Sequence, residues 1–95
     1  MQITTSSNNV DITGNIKSVS DFQELKSVFD DLIENYKSIN VKIKDSLSIT
    51  SSVIGYFNKL ILKDGIDIHM SIGNEQLMEL FDDLNLATLF KAKKI

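Results

Sequence analysis

Apolar residues in this chain keep switching between a spacing of two and a spacing of three to four, and each switch marks an element boundary. Val10, Ile12, Gly14 and Ile16 alternate with Asp11, Thr13 and Asn15, the pattern of a half-buried strand. Phe22, Leu25, Phe29, Leu32, Ile33 and Tyr36 then recur at helical spacing, with Glu24, Lys26, Asp30, Asp31, Glu34 and Lys37 on the opposite side. Val41, Ile43, Leu47 and Ile49 return to every second residue, running through Asp45, Ser46 and Ser48. Val53, Ile54, Tyr56, Phe57, Leu60, Ile61 and Leu62 are helical again, with a narrow polar strip at Asn58, Lys59 and Lys63. A helix so broadly apolar is buried against a sheet or presents part of its surface to a partner. Ile66, Ile68, Met70 and Ile72 alternate with Asp67, His69 and Ser71 in the clearest strand of all. Leu77, Met78, Leu80, Phe81 and Leu84 mark a last helix.

Upstream, Ile3 anchors a short edge strand, and Ser6 to Asn9 reads as the turn of a hairpin with the strand beginning at Val10. The order is therefore strand, strand, helix, strand, helix, strand, helix. Two successive strand–helix–strand crossovers require parallel pairing, and the hairpin adds an antiparallel strand. The expected fold class is α/β: one domain over residues 1–95, with a mixed, mostly parallel sheet of about four to five strands and about three to four helices.

Polar residues punctuate these elements. Ser20-Asp21-Phe22-Gln23 has the form of a capping box. Gly65 is placed to end the second helix, Asn74 to cap the third and Asn85 to end it. Gly14 marks a bulge or a close backbone approach. Leu86, Leu89 and Phe90 are expected to fold back over the core, and the carboxylates of the first helix to form a solvated face.

Ninety-five residues with 42% hydrophobic content suffice for one modest core and not for two. A net charge of -3 argues against a nucleic-acid surface. The only basic cluster, Lys91, Lys93 and Lys94, reads as a solvated tail. There is no cysteine, hence no disulfide, thiolate metal site or cysteine nucleophile. No apolar run approaches the roughly 20 residues of a membrane span, and Met1 to Asn9 lacks the charged and apolar regions of a signal peptide. The expectation is a cytoplasmic protein without direct membrane insertion.

Catalytic chemistry is sparse. His69 is the only histidine, and its strand position turns it away from the core residues, so it reads as solvated. A pair between His69 and Ser51 or Ser52 is the one hydrolytic arrangement left open, and nothing in the sequence favours it. Gly14, Gly55, Gly65 and Gly73 are too dispersed for a phosphate-cradling loop. Asp30-Asp31 and Asp82-Asp83 lie on helix surfaces where neighbours diverge. No metal, no cofactor and no enzymatic activity are expected.

The functional signal is Thr50-Ser51-Ser52-Val53-Ile54-Gly55, where a strand-like segment opens the most apolar helix. Hydroxyls there can cap the helix, because its first N–H groups lack partners. Those amides and the positive end of the helix dipole also favour a phosphoryl group. With this junction in place, the chain resembles a STAS domain, the family named for sulfate transporters and antagonists of anti-sigma factors. The likeness runs from about Val10 to Phe90. Val10-Asp11-Ile12-Thr13-Gly14-Asn15-Ile16 matches a first strand ending in glycine, and Thr50 to Gly55 stands where the family has an Asp-Ser-Ser-Gly-Leu-Gly segment. Gly65 fits the glycine before the next strand, and Leu80 to Phe90 the closing pattern.

The resemblance implies an anti-sigma factor antagonist that switches partners when its first signature serine is phosphorylated by a kinase-like anti-sigma factor. Ser51 is then the candidate phosphoacceptor, with Ser52 and Thr50 as substitutes. Thr50, Ser51, Ser52, Val53 and Gly55 become the candidate partner-binding residues of a monomer or weak dimer. Two positions depart from the family: Thr50 replaces the acidic residue, and Val53 replaces a glycine. These departures suit an alternative, a non-switching STAS subunit bound to the ATPase of an ABC-type lipid-transport complex. A nucleotide- or small-ligand-binding STAS module is a third reading, for which the sequence offers no convergent polar pocket.

Overall fold

The computed structural model describes residues 1–95. Two strands, β1 (Gln2–Ser6) and β2 (Asn9–Thr13), form the expected antiparallel hairpin. Its two-residue turn carries Ser7 at a φ of 53°, the positive φ that hairpin turns require. Helix α1 (Val19–Leu32) then leads to β3 (Ser38–Ile43), α2 (Ser51–Leu62) to β4 (Asp67–Ile72), and α3 (Glu75–Asp83) to β5 (Lys93–Lys94). The sheet order is β1-β2-β3-β4-β5, with every pair after the hairpin parallel.

Because each crossover steps to the next strand in the same direction, right-handed connections put all three helices on one face of the sheet. Burial follows. Val10, Ile12, Ile39, Val41, Ile43, Ile68, Met70 and Ile72 point under the helices and are essentially inaccessible. The alternate residues Asn9, Asp11, Asn40, Lys42, His69 and Ser71 lie on the open face. A parallel strand covered on both sides would be apolar throughout; the strict alternation here is the signature of a sheet covered once.

Aromatic rings join the helices over this sheet. Phe29 meets Phe57 edge-on at 5.1 Å between centroids, Phe57 meets Phe90 at 6.0 Å, and Phe90 meets Phe81 at 5.4 Å. Each such contact adds about 0.5–1.5 kcal/mol beyond area burial. Phe90 is fully buried, as expected of a segment folded back on the core, while Leu86 and Leu89 are half-buried beside it.

Several sequence expectations are corrected. The α1 cap is Ser18, not Ser20: its hydroxyl accepts from the Asp21 N–H at 3.0 Å, and Asp21 reaches back to the Ser18 N–H at 3.1 Å. Asp21 also accepts from the Lys17 N–H, which with the Ser18 bonds holds its carboxyl below the usual range. The third strand stops at Ile43. Leu47 is exposed and Ser46 turns inward instead, because side-chain hydrogen bonds, most of them to the neighbouring loop at residues 14–16, take the place of the ladder in residues 44–50. The tail lysines are exposed as expected, but their backbone is not a free end: Lys93 and Lys94 pair with Ser71 and Ile72 as a third parallel crossover closes.

Asn74 caps α3 through the Leu77 N–H, and Asn85 leaves the helix at a φ of 58°. Gly65, at a φ of 68°, turns the chain so that the Ile66 N–H reaches the Leu60 carbonyl. Gly14 combines a φ of 81° with a close approach of Met1, whose Cα would stand 3.1 Å from an added Cβ. Gly73 is tighter still. Its N–H bonds the Ile43 carbonyl at 2.8 Å, and a Cβ there would collide with the Lys44 carbonyl group. Backbone atoms cannot swing aside as a side-chain tip can. Gly73→Ala is therefore expected to lower unfolding free energy by about 1–3 kcal/mol, measured by urea denaturation.

Candidate functional site

The carboxyl ends of β2 and β3 release two loops side by side, residues 14–18 and 44–50, which deliver the chain to α1 and α2. Side chains stitch these loops together. Asp45 accepts from the Gly14 N–H at 2.7 Å, Asn15 accepts from the Leu47 N–H at 2.9 Å, and the Ser48 hydroxyl donates to the Ile16 carbonyl at 3.1 Å. At the centre is Ser46, the only fully buried polar residue. Its hydroxyl accepts from the Ile16 N–H at 3.1 Å and donates to the Ser48 carbonyl at 2.6 Å. Buried backbone groups that would otherwise be orphaned are satisfied here, so the joint is rigid without regular structure.

From this joint α2 begins. Thr50 is its cap, the hydroxyl accepting from the Val53 N–H at 3.3 Å. Ser51 and Ser52 are the first two helical residues, both exposed, and their N–H groups have no partner inside the helix. The first turns of α1 and α3 carry Asp21 and Glu75, whereas that of α2 carries no acidic residue. The positive end of its dipole is thus uncompensated. A small cleft of about 140 Å³ lies between the two helix starts, lined by Lys17, Ser18, Val19, Phe22, Thr50 and Ser52. Val19 on its rim is 73% exposed.

Val53 behaves differently from its neighbours. It is wholly buried, being the first residue of α2 to face the sheet, and it offers no side chain to a partner. The outward positions of the helix are Ser51, Ser52, Gly55, Lys59 and Leu62, in one strip along α2. No atom stands within 4 Å of where a Gly55 Cβ would be, so internal packing does not require glycine there. The strip ends at Leu62, 72% exposed. It joins two hydroxyls, a flat backbone patch, one cation and an apolar end.

The inner side of α2 is fixed to α1. Tyr56 packs edge-on against Phe22 and Phe29 and donates its hydroxyl to Asp30 at 2.6 Å. Burial, and then the Asp30 carboxylate, raise the Tyr56 pKa. Asp30 is held below the usual carboxylate range by Lys26, 2.8 Å away, and by the Tyr56 hydroxyl. One carboxylate of the supposed solvated face is therefore an interhelical anchor, which helical spacing alone does not reveal.

His69 lies elsewhere, on the open face of the sheet. It bonds Asp67 at 2.9 Å, and Asp67 also accepts from Lys91 at 2.6 Å. Lys91, then His69, hold the Asp67 carboxyl below its usual range. This network borders a shallow polar trough of about 600 Å³ that includes Asn40, Lys42, Ser71 and Lys93. Neither Ser51 nor Ser52 reaches it, so the structure does not bring the serine–histidine pair together. Outward alternation of Asp67 and His69 was visible in the sequence; Lys91 joins them only through the unforeseen β5. No three potential metal-ligating side chains cluster anywhere, and no helix is long and apolar enough to cross a membrane.

Comparison with protein-family models, with curated proteins and with solved structures yields no match.

The Tyr56–Asp30 bond has a pH signature. Asp30 titrates below its ordinary value of 3.8 in the folded chain, so its stabilisation is complete above that pH and fades as pH falls through the folded value. Tyr56→Phe is expected to lose about 1 kcal/mol at pH 7, the low end for a bond to a half-exposed charge. Thermal unfolding of both proteins from pH 7 to 2.5 should show the difference narrowing below about pH 4.

Proposed function

We propose that this protein is a STAS-like regulator of the anti-sigma factor antagonist type, acting by partner switching and not by catalysis. The exposed strip of α2 beginning at Ser51 is its docking surface, and phosphorylation of Ser51 is its switch. One observation carries the reading: the Ser51 hydroxyl is exposed at the amino end of a helix whose inner side is buried and whose first turn lacks an acidic residue. The order of segments also supports it, with the glycine-ended strand, the serine junction and the returning Phe90 in the sequence that the resemblance implies.

The physics of such a switch is direct. A phosphoryl group adds about -1.5 to -2 charge at neutral pH. The free N–H groups of α2 and its dipole would tolerate that charge, leaving the domain folded, and Lys17 lines the cleft beside Thr50 and Ser52. A partner seated over Gly55 and Leu62 would have to desolvate the dianion or face it with its own carboxylates. The partner this describes is a serine kinase-like anti-sigma factor in the cytoplasm.

A second reading rests on Thr50. Its side chain is a neutral cap where the family has a carboxylate, which suits a non-switching subunit docked on the ATPase of an ABC-type lipid-transport complex.

Affinity capture from native cells with intact-mass measurement separates the two. Switching predicts a fraction of the protein heavier by one phosphoryl group and a kinase-like companion; the second reading predicts a transporter ATPase and unmodified protein. With the captured partner, Ser51→Asp should bind at least about tenfold more weakly, roughly 1.4 kcal/mol, and Ser51→Ala like wild type. Equal binding by both variants removes the switch. Gly55→Ala should stabilise the isolated domain by up to about 1 kcal/mol and still weaken docking, read by calorimetry on the same pair.

A further inference from the structure

The two edges of the sheet are guarded unequally. β5 is two residues long and both are lysines, the short, charged edge that resists pairing with another chain. β1 is five residues, Gln2-Ile3-Thr4-Thr5-Ser6, with no charge and no proline. It pairs with β2 in unbroken register, so no bulge twists it away, and no strand lies on its other side.

Pairing alternation defines what that edge offers. The turn closes on Ser6 opposite Asn9, so Ser6, Thr4 and Gln2 occupy the hydrogen-bonded positions toward β2. The N–H and C=O groups of Ile3 and Thr5 therefore point outward. A second antiparallel β1 fits them about a two-fold axis through Thr4. Ile3 of each copy then exchanges bonds with Thr5 of the other, and Thr4 faces Thr4 on the axis. Threonine pairs across strands are favourable, and no like charges meet. The axis is perpendicular to the sheet, so both helical layers stay on the same side and neither Ser51 strip is covered.

We propose that β1 is a self-association edge, through which two copies join their sheets into one continuous antiparallel-centred sheet. Five residues bury well under the ~1,200 Å² of a standard stable interface, so the dimer is weak, with a dissociation constant on the order of 0.1–1 mM.

Sedimentation velocity on the full chain from about 10 μM to about 1 mM tests this, in the concentration range that such an affinity sets. The weight-average mass should climb from 10.7 kDa toward twice that value. Thr4→Lys places two ammonium groups on the axis while meeting Asp11 across the hairpin within each copy; it should weaken dimerisation at least tenfold. Thr5→Pro removes an outward N–H without costing a β1–β2 bond and should do the same. Thr88→Lys, an exposed substitution outside the sheet, should leave association unchanged, and circular dichroism verifies that each variant is folded. A wild-type monomer at the highest concentration overturns the proposal, as does a dimer that folded Thr4→Lys and Thr5→Pro both leave intact. An edge reserved for a foreign peptide strand would appear as the first of these outcomes.

Discussion

A twisted strand passes to a parallel neighbour through a right-handed crossover in nearly every known case, and this chain takes that step three times in one direction. Nearly everything else follows from the repetition. Helices accumulate on one face, so the strands must alternate apolar with polar. All three helix starts fall at the same rim, beyond the carboxyl ends of the parallel strands, where open α/β sheets place their binding groups. Ser51 stands on that rim because β3 ends there. The opposite face keeps its asparagines, lysines and His69 in water because no connection crosses it.

The rim needs more than topology. Irregular loops at strand ends are ordinarily the mobile parts of such domains. Here the two that flank the candidate site are bound to each other by Asn15, Asp45, Ser46 and Ser48. The hydroxyl of Ser46 serves both loops from full burial, which couples the entry of α1 to the entry of α2. Two turns of hydroxyl chemistry thus divide the labour: Ser46 fixes position from inside, while Ser51 stays outside and available.

Most of the architecture was legible as periodicity. The hairpin, the three helices, the buried β4 and the asparagine cap of α3 all emerged from spacing and turn residues, since those signals are local. What stayed hidden was non-local. Whether Leu47 and Ile49 extend a strand depends on Ile16 and Asn15, some thirty positions away, competing for the same backbone groups. Ser18 displaced Ser20 as cap because an aspartate three residues on can reciprocate as a glutamine would. The tail lysines became a strand because Phe90 is drawn into the core and β4 has a free edge beside it. At the candidate site, the exposed serines followed from the junction itself. Val53 carried two readings, an apolar residue of a helix buried on the sheet and a docking residue, and the phase of packing decides for the first.

Tyr56 has a use unrelated to stability. The chain contains no tryptophan and only two tyrosines, so its near-ultraviolet spectrum is dominated by Tyr36 and Tyr56. A phenol donating a short bond to a carboxylate, set among phenylalanine rings, differs optically from one in water. Its absorbance and emission are therefore an unlabelled gauge of whether the first two helices remain clasped. Because the clasp lies on the reverse side of the helix that bears Ser51, the molecule carries its own probe for events on that helix.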